Sequence, residues 1–149
     1  MVYRVSLMAL LGALAFASPA AAAPAPAGPL AAIQGLFAAA AIDDEAGFRQ
    51  AVSPDFEAYD NGKIYPGLSL MTTIEGLHRA GVKIVWSVRE PKVEPHGQVA
   101  FAHWINQGSV DLGKGQGPQA VVWLESADLE RVGGAWRVKF LHSDRQSGP

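Results

Sequence analysis

Apolar residues recur at helical spacing in three segments of the first half of the chain. The first predicted helix begins at Pro29 and carries an apolar face made of Leu30, Ile33, Leu36, Phe37 and Ala41. Asp43 or Asp44 caps a second, short helix, since an aspartate side chain accepts a hydrogen bond from a free backbone N–H at a helix start. A third helix is predicted to be capped by Ser69 and to end at Gly81.

An alternation of apolar and polar residues, typical of strands, dominates the second half of the chain. A short hairpin precedes it, because Asn61-Gly62 is a favoured turn sequence. Pro91 and Pro95 favour an edge strand or a bulge, since proline has no backbone N–H, and residues 98–112 form one long strand. The order of elements predicts an α+β fold: a cone-shaped, curved antiparallel sheet with about three helices on its concave face.

The last hairpin is predicted to turn at Gly133-Gly134, because a two-residue turn needs a positive φ that glycine adopts freely. This turn places Val132 opposite Ala135. The pairs that follow alternate between opposite charges and apolar residues: Glu130 with Arg137, Leu129 with Val138, Asp128 with Lys139, and Ala127 with Phe140. Each such pair adds roughly 0.2–1 kcal/mol relative to alanine, so we expect this register to resist a slip.

The same register places Glu125 opposite His142 on the apolar side of the hairpin, with Trp123 opposite Asp144 beyond them. Burying a charge is costly unless it is paired or reaches water, so this pair is predicted to line a wet cavity. A histidine beside a carboxylate can act as a general base near neutral pH, which makes His142 and Glu125 the candidate catalytic residues. The alternative is a structural ion pair or two solvated rim residues.

The neighbouring strands are predicted to complete a pocket. If Leu112 pairs with Gln119, then Asn106 faces Glu125 and Trp104 faces Ala127, whereas a shift by one residue would turn Asn106 and Trp104 outward. The candidate ligand-binding residues are Asn106, Trp104, Trp123, Trp86 and Tyr59. Aromatic residues on strands often pack in cores, and turn packing also accounts for Tyr59, so these alternatives stay open.

The opposite face of the same strands is unusually apolar for a solvent-exposed surface. It carries Phe101, His103, Ile105, Val122 and Leu124. Because large apolar patches are rarely left uncovered, this face is predicted to form a homodimer interface.

The first residues have the layout of a secretory signal peptide: Arg4, an apolar run from Val5 to Phe16, and an alanine-rich cleavage region. We predict a signal peptide at 1–23, an Ala/Pro linker at 24–29, a domain at 30–145 and a tail at 146–149. The apolar run is shorter than the roughly 20 residues of a membrane span, so the cleaved chain is expected to be secreted or periplasmic, without a membrane span. The alternative is an uncleaved anchor.

Composition narrows the chemistry. The chain has 12 Lys and Arg, 14 Asp and Glu, and a net charge of −2, with no basic patch for nucleic acid. It has no cysteine, which excludes thiol nucleophiles and thiolate metal sites. The four histidines show no metal-ligand spacing on one element, so neither a metal site nor a cofactor is expected.

Residues 30–143 resemble the nuclear transport factor 2-like superfamily, which includes ketosteroid isomerases, scytalone dehydratase and polyketide cyclase-like proteins. The resemblance rests on the helical start, on Asp55-Phe56, on Asn61-Gly62-Lys63 before a short helix, and on the ending Gly134-Ala135-Trp136-Arg137-Val138 through Leu141-His142-Ser143. It implies a pocket between the helices and the concave sheet, and dimerisation through the outer face. The Tyr/Asp pairing of the isomerases and the full histidine set of the dehydratase have no clear counterpart.

Three functions follow as hypotheses. The first is an exported domain that binds a small apolar or aromatic molecule in this pocket. The second is a cofactor-independent lyase, isomerase or hydrolase in which His142 takes a proton while Glu125 orients it. The third is a dimerisation or protein-interaction module with a vestigial cavity.

Overall fold

The structure is a computed structural model that describes residues 28–146. The predicted signal peptide (1–23), residues 24–27 of the predicted linker and residues 147–149 of the predicted tail lie outside the described residues. Within the described part, no helix is both long enough and apolar enough to cross a membrane.

The three predicted helices are present: α1 (Pro29–Ala41), α2 (Glu45–Ala51) and α3 (Ser69–Arg79). Asp44 caps α2, where its side chain accepts a hydrogen bond of 2.9 Å from the Gly47 N–H. The predicted cap at Ser69 is wrong, because this residue is already the first of α3 and its buried hydroxyl has no partner among the described residues.

Seven strands form one strongly curled sheet: β1 (Val52–Asp60), β2 (Lys63–Pro66), β3 (Lys83–Val85), β4 (Val88–His96), β5 (Val99–Asp111), β6 (Gln119–Val132) and β7 (Ala135–Arg145). The strand order is β2-β1-β7-β6-β5-β3, and β4 also pairs with β5. The α+β cone is thus confirmed. The sheet is mixed rather than antiparallel, because β1 runs parallel to β7; these strands are far apart in the chain, so no hairpin fixes their relative direction.

The concave face of the sheet and the helices enclose the core. α1 contacts α2, α3, β4, β5 and β7. Ala100 and Ala102 on β5 are buried, and residues this small let helices approach the sheet closely. Phe48 and Phe56 pack edge to face with ring centroids 5.9 Å apart, and burying an aromatic side chain of this kind contributes roughly 1.5–3 kcal/mol.

The β6–β7 hairpin follows the predicted register only near its turn. Leu129 pairs with Val138 as predicted, but a bulge at Lys139 then shifts every later pair by one residue. The predicted pairs beyond this point are wrong: Asp128 with Lys139, Ala127 with Phe140, Glu125 with His142 and Trp123 with Asp144. The Lys139 ammonium lies 2.6 Å from the Asp55 carboxylate, a contact with β1 that no pattern within the hairpin reveals.

The β5–β6 hairpin differs from the prediction by two residues. Trp104 pairs with Glu125 and Asn106 pairs with Trp123. The predicted pairs of Asn106 with Glu125 and of Trp104 with Ala127 are wrong, but a two-residue shift keeps the same face inward. Trp104 and Asn106 are therefore buried, as the prediction required.

Candidate functional site

A cavity of about 140 Å³ lies between the helices and the concave face of the sheet. Its apolar lining consists of Leu36, Phe37, Ala40, Leu70, Ile74, Leu77, Ile84, Trp86, Trp123 and Leu141. Its polar lining consists of Asp60, Tyr65, Thr73, Glu125 and Ser143. The cavity is thus mainly apolar, with a few polar groups from the sheet and one from α3.

Glu125 is the most deeply buried charged residue of this lining, with only 5% of its surface exposed. The alternation along β6 turns it inward, and three donors from neighbouring strands reach its carboxylate. The Trp104 indole N–H and the Asn106 amide donate to Oε2 at 2.5 and 2.9 Å. The Ser143 hydroxyl donates to Oε1 at 3.0 Å. Side chains of β5 and β7 therefore surround the Glu125 carboxylate of β6 with hydrogen-bond donors.

Asn106 is held in one orientation. Its Oδ1 accepts a hydrogen bond of 2.7 Å from the backbone N–H of Ser87, which leaves its amide N–H₂ to point at Glu125. The side chain is fully buried. Because a backbone N–H can only donate, this contact fixes which end of the amide meets the carboxylate.

Burial raises the pKa of Glu125 from its ordinary value of 4.5 to about 7. The hydrogen bonds from Asn106, Ser143 and Trp104 oppose this change, since they favour the charged form, and the charge of Asp60 adds to it. A carboxyl with this pKa can hold or release a proton at neutral pH, which is the property of a general acid or base.

Asp60 is the second carboxyl of the cavity. It lies at the end of β1, paired in the sheet with Ser143 of β7, and its Oδ1 accepts a hydrogen bond of 2.7 Å from the Asn61 side chain. Partial burial raises its pKa, while the Ser143 hydroxyl and Lys63 oppose that change. Two carboxyl groups thus flank one serine hydroxyl in a mainly apolar cavity.

His142 lies on the other side of the sheet from Glu125. The bulge at Lys139 places Ser143 opposite Glu125 and His142 opposite Ser126, where the imidazole is exposed on the outer face. Ser126 also pairs with His103 of β5, so the two histidines flank it in one row across three strands. The predicted juxtaposition of Glu125 and His142 is therefore wrong, for the geometric reason that the bulge reverses the alternation of β7.

The predicted ligand-binding residues fall into three groups. Trp86 and Trp123 line the cavity. Trp104 and Asn106 lie beside Glu125 as hydrogen-bond donors, outside the set of residues that lines the cavity. Tyr59 is turned outward, 40% exposed, and packs edge to face on Phe140 with centroids 5.1 Å apart. Tyr65 on β2 is the tyrosine that lines the cavity instead.

Sequence reasoning missed Ser143, Asp60, Tyr65 and Thr73. A signal for Ser143 does exist: Phe140 and Leu141 are adjacent apolar residues in a strand that otherwise alternates, and such a break is typical of a bulge. Asp60 and Tyr65 flank the Asn-Gly turn, and nothing in that hairpin alone predicts that β7 packs beside it. Among residues 28–146, no three His, Cys, Asp or Glu side chains are grouped so as to hold a metal ion.

No known protein family is matched by the sequence, and no curated protein matches it. Solved structures do match. A ketosteroid isomerase-like protein from Erwinia carotovora atroseptica has a TM-score of 0.68 at 15% identity, over 83% of this chain and 97% of that chain. A protein of unknown function from Mycobacterium tuberculosis has a TM-score of 0.66 at 16% identity, over 80% and 70%. A CaMKII hub from S. rosetta has a TM-score of 0.66 at 18% identity, over 85% and 100%.

These likenesses agree with the element order and the curled sheet. Residues 28–146 have the nuclear transport factor 2-like fold that ketosteroid isomerase-like proteins and CaMKII hubs share. Identities this low show the fold alone, so function has to be argued from the site.

Proposed function

We propose that this domain binds a small, mainly apolar molecule in the cavity, with the carboxyl of Glu125 as its main polar contact. The observation that carries the proposal is a buried carboxyl in an otherwise apolar cavity, held by three donors and titrating near pH 7. Convergent polar groups in an apolar pocket are typical of ligand sites. A fold built only for stability has no need of a buried carboxylate, which costs several kcal/mol.

The volume limits the size of the ligand. A dry cavity of about 150 Å³ in another protein is large enough for benzene, whereas drug-sized ligands occupy about 300–1,000 Å³. The cavity of about 140 Å³ therefore suits a molecule with one ring or a comparable apolar body.

A cavity-filling variant tests this proposal. Ala40 is buried and lines the cavity, so Ala40→Leu should occupy part of its volume and weaken binding of monocyclic probes by at least about tenfold. Ala38 is exposed on the same helix, so Ala38→Leu is the matched control and should leave binding unchanged. Calorimetric titration measures both affinities, and circular dichroism checks the fold. Equal affinities in the two variants would contradict the proposal.

Acid–base catalysis on such a ligand is the alternative that one observation favours, namely a carboxyl that titrates near neutral pH beside the cavity. The reaction would belong to the lyase, isomerase or hydrolase classes, with Glu125 as the group that moves the proton. If turnover of a bound probe is found, Glu125→Gln should abolish it. His142→Ala should leave it unchanged, since His142 lies on the outer face.

We also propose that the domain forms a homodimer through its outer sheet face. Phe101, Val122 and Leu124 are 43%, 38% and 47% exposed there. Val122 and Leu124 are neighbours on β6, and Leu124 pairs with Ile105 of β5, whereas Phe101 lies further along β5, opposite Asp128. A group of partly exposed apolar side chains such as Ile105, Val122 and Leu124 supports an interface at this face. Analytical ultracentrifugation over a range of concentrations tests it, and a monomer mass at high concentration would contradict it.

We further propose that the chain is exported and that residues 1–23 are removed. The support is the basic start, the short apolar run and the alanine-rich cleavage region. Expression of the full chain in a bacterial host, followed by fractionation and mass spectrometry, tests this. The proposal fails if the protein stays in the cytoplasm with its first residues intact.

A further inference from the structure

We infer that the cavity selects small organic cations, in which an ammonium group is attached to an apolar body about the size of one ring. This inference rests on the proposed binding function and names the class of ligand. It is carried by the two carboxyl groups of the lining, the aromatic rings around them, and the absence of any Lys, Arg or His among the described residues that line the cavity.

In the part of the chain that the structure describes, the charged residues that line the cavity are all acidic. Asp60 and Glu125 are the only charged residues of its described lining, and the helices contribute none. Lys63 and His142 act on Asp60 from outside the lining, and Asp144 adds a negative charge there. An anionic ligand would bring a third negative charge into the cavity. A cation would instead compensate the carboxylates that burial disfavours.

Glu125 has one acceptor position left for a ligand. A carboxylate offers about four lone-pair sites, two on each oxygen. Trp104 and Asn106 occupy both sites of Oε2, and Ser143 occupies one site of Oε1. The remaining site belongs to Oε1, and it calls for an N–H or O–H donor.

The proton of neutral Glu125 has to sit on that same oxygen. The Trp104 indole can only donate, and the Ser87 contact keeps the Asn106 amide N–H₂ directed at Oε2. Oε1 therefore carries the proton at low pH and accepts a hydrogen bond from an ammonium group at high pH. Binding of a cation should release this proton, so its affinity should rise with pH through about 7 and level off above.

The aromatic lining suits the same ligand. Phe37 and Trp86 lie with ring centroids 6.0 Å apart, and Tyr65 and Trp123 complete the aromatic part of the wall. A cation over an aromatic face is attracted by the electron-rich face of the ring, most strongly when the pair is shielded from water. The rings also pack on the apolar body, so the cavity recognises both ends of an arylalkylamine.

Three probes that share one ring and differ in charge test the inference: benzylamine, benzyl alcohol and benzoate. At about pH 8, calorimetric titration should give benzylamine an affinity at least about tenfold higher than that of benzyl alcohol, with benzoate weakest. Between about pH 7 and pH 5, where benzylamine stays protonated, its affinity should fall by up to about tenfold per pH unit.

Glu125→Gln is the diagnostic variant, because glutamine keeps the shape without the charge: its amide oxygen can accept from Trp104 and Asn106, and its N–H₂ can donate to the Ser143 hydroxyl oxygen. This variant should lower the affinity for benzylamine by at least about tenfold and change the affinity for benzyl alcohol by less than about twofold. Glu130→Gln on the same strand is the matched control and should change neither, since Glu130 is outside the lining. Asp60→Asn serves as a second variant if Glu125→Gln fails to fold, and it should weaken benzylamine selectively.

The outcomes separate this inference from the proposed function. If benzyl alcohol or benzoate binds as tightly as benzylamine, or if both charge-removing variants leave benzylamine unaffected, the cavity binds ligands but the inference is wrong. If none of the three probes binds the native protein, the proposed binding function and the inference both fall.

Discussion

At the scale of single residues, the pKa of Glu125 results from two opposing effects, burial and hydrogen bonding. Each hydrogen bond to a charged group is worth roughly 1.5–3 kcal/mol, and Glu125 receives three of them. Its pKa is nevertheless raised to about 7, so the free-energy cost of removing the charge from water exceeds the stabilisation that the three hydrogen bonds provide. A residue of this kind lowers stability at neutral pH, which is common for groups retained for function.

Glu125→Gln should therefore stabilise the protein in a pH-dependent manner. The folded pKa lies above the ordinary value of 4.5, so the favourable effect of protonation is complete below about pH 4.5 and is lost as the pH rises through about 7. Urea unfolding should show a gain of up to about 3 kcal/mol for the variant at pH 8 and almost none at pH 4.5. Glu130→Gln is the control, and an equal gain at both pH values would contradict the prediction.

Asn106→Leu should destabilise the protein by about 3 kcal/mol. The variant leaves the Ser87 N–H without its partner and removes one donor from Glu125, and each unsatisfied buried group costs about 1–3 kcal/mol. Chemical denaturation measures the change. Gln107→Leu, the same kind of substitution at an exposed neighbour, should have an effect below about 0.5 kcal/mol.

At the scale of elements, the sequence predicts which segments are helices and strands better than it predicts their register. The helix faces, both long hairpins and the inward face of β5 follow from periodicity, which many residues specify together. One extra residue at Lys139 is enough to change which residue of β7 faces Glu125. The alternation of apolar and polar residues does not reveal such an insertion, because a bulge shifts every later residue to the opposite face. Periodicity therefore identifies the carboxylate Glu125, but it assigns His142 in place of Ser143 as the partner of that carboxylate.

Contacts between distant elements also escaped prediction. Asp60 joins the site only because β1 pairs with β7, and these strands are separated by most of the domain. The loop between β5 and β6 fixes the register weakly, so the sequence predicts the correct face for Asn106 but a partner two residues away from the true one. Local pattern determines which face a residue occupies, whereas packing determines its neighbours.

Gly108→Ala should disturb the junction of β3 with β5. A Cβ at this position would lie 1.7 Å from the carbonyl oxygen of Val85, so the backbone of β3 would have to move. We expect a loss of at least about 2 kcal/mol in thermal or urea unfolding, with weaker probe binding because Ile84 and Trp86 line the cavity. Gly76→Ala on α3 is the control, since its nearest atom is 3.9 Å away, and it should gain about 0.5–1 kcal/mol.

At the scale of the whole molecule, the two faces of one sheet carry different chemistry. The concave face encloses a carboxylate cavity, and the outer face presents apolar side chains beside the row of His103, Ser126 and His142. The alternation of side chains along β5 and β6 separates the two surfaces by the thickness of one sheet. Substitutions on the outer face can therefore test the proposed dimer while the cavity keeps its lining.

Leu124→Glu should dissociate the proposed dimer, because it places a charge in the centre of the apolar outer face. Ultracentrifugation should show an increase of at least about tenfold in the dimer dissociation constant. Leu112→Glu changes an equally exposed leucine outside this face and should leave the mass unchanged. Dissociation by both variants would point to a general loss of structure instead.

The parallel pairing of β1 with β7 makes the order of synthesis matter for the cavity. Asp60 arrives on an early strand and Ser143 on the last one, and the two are neighbours only in the finished sheet. A growing polypeptide can form its helices and middle strands beforehand, but contacts between strands so far apart form late. Glu125 can meet Trp104 and Asn106 within the β5–β6 hairpin alone, but Ser143 and Asp60 join them only when the final strand enters the sheet, so a ribosome-bound chain that lacks this strand has an incomplete cavity.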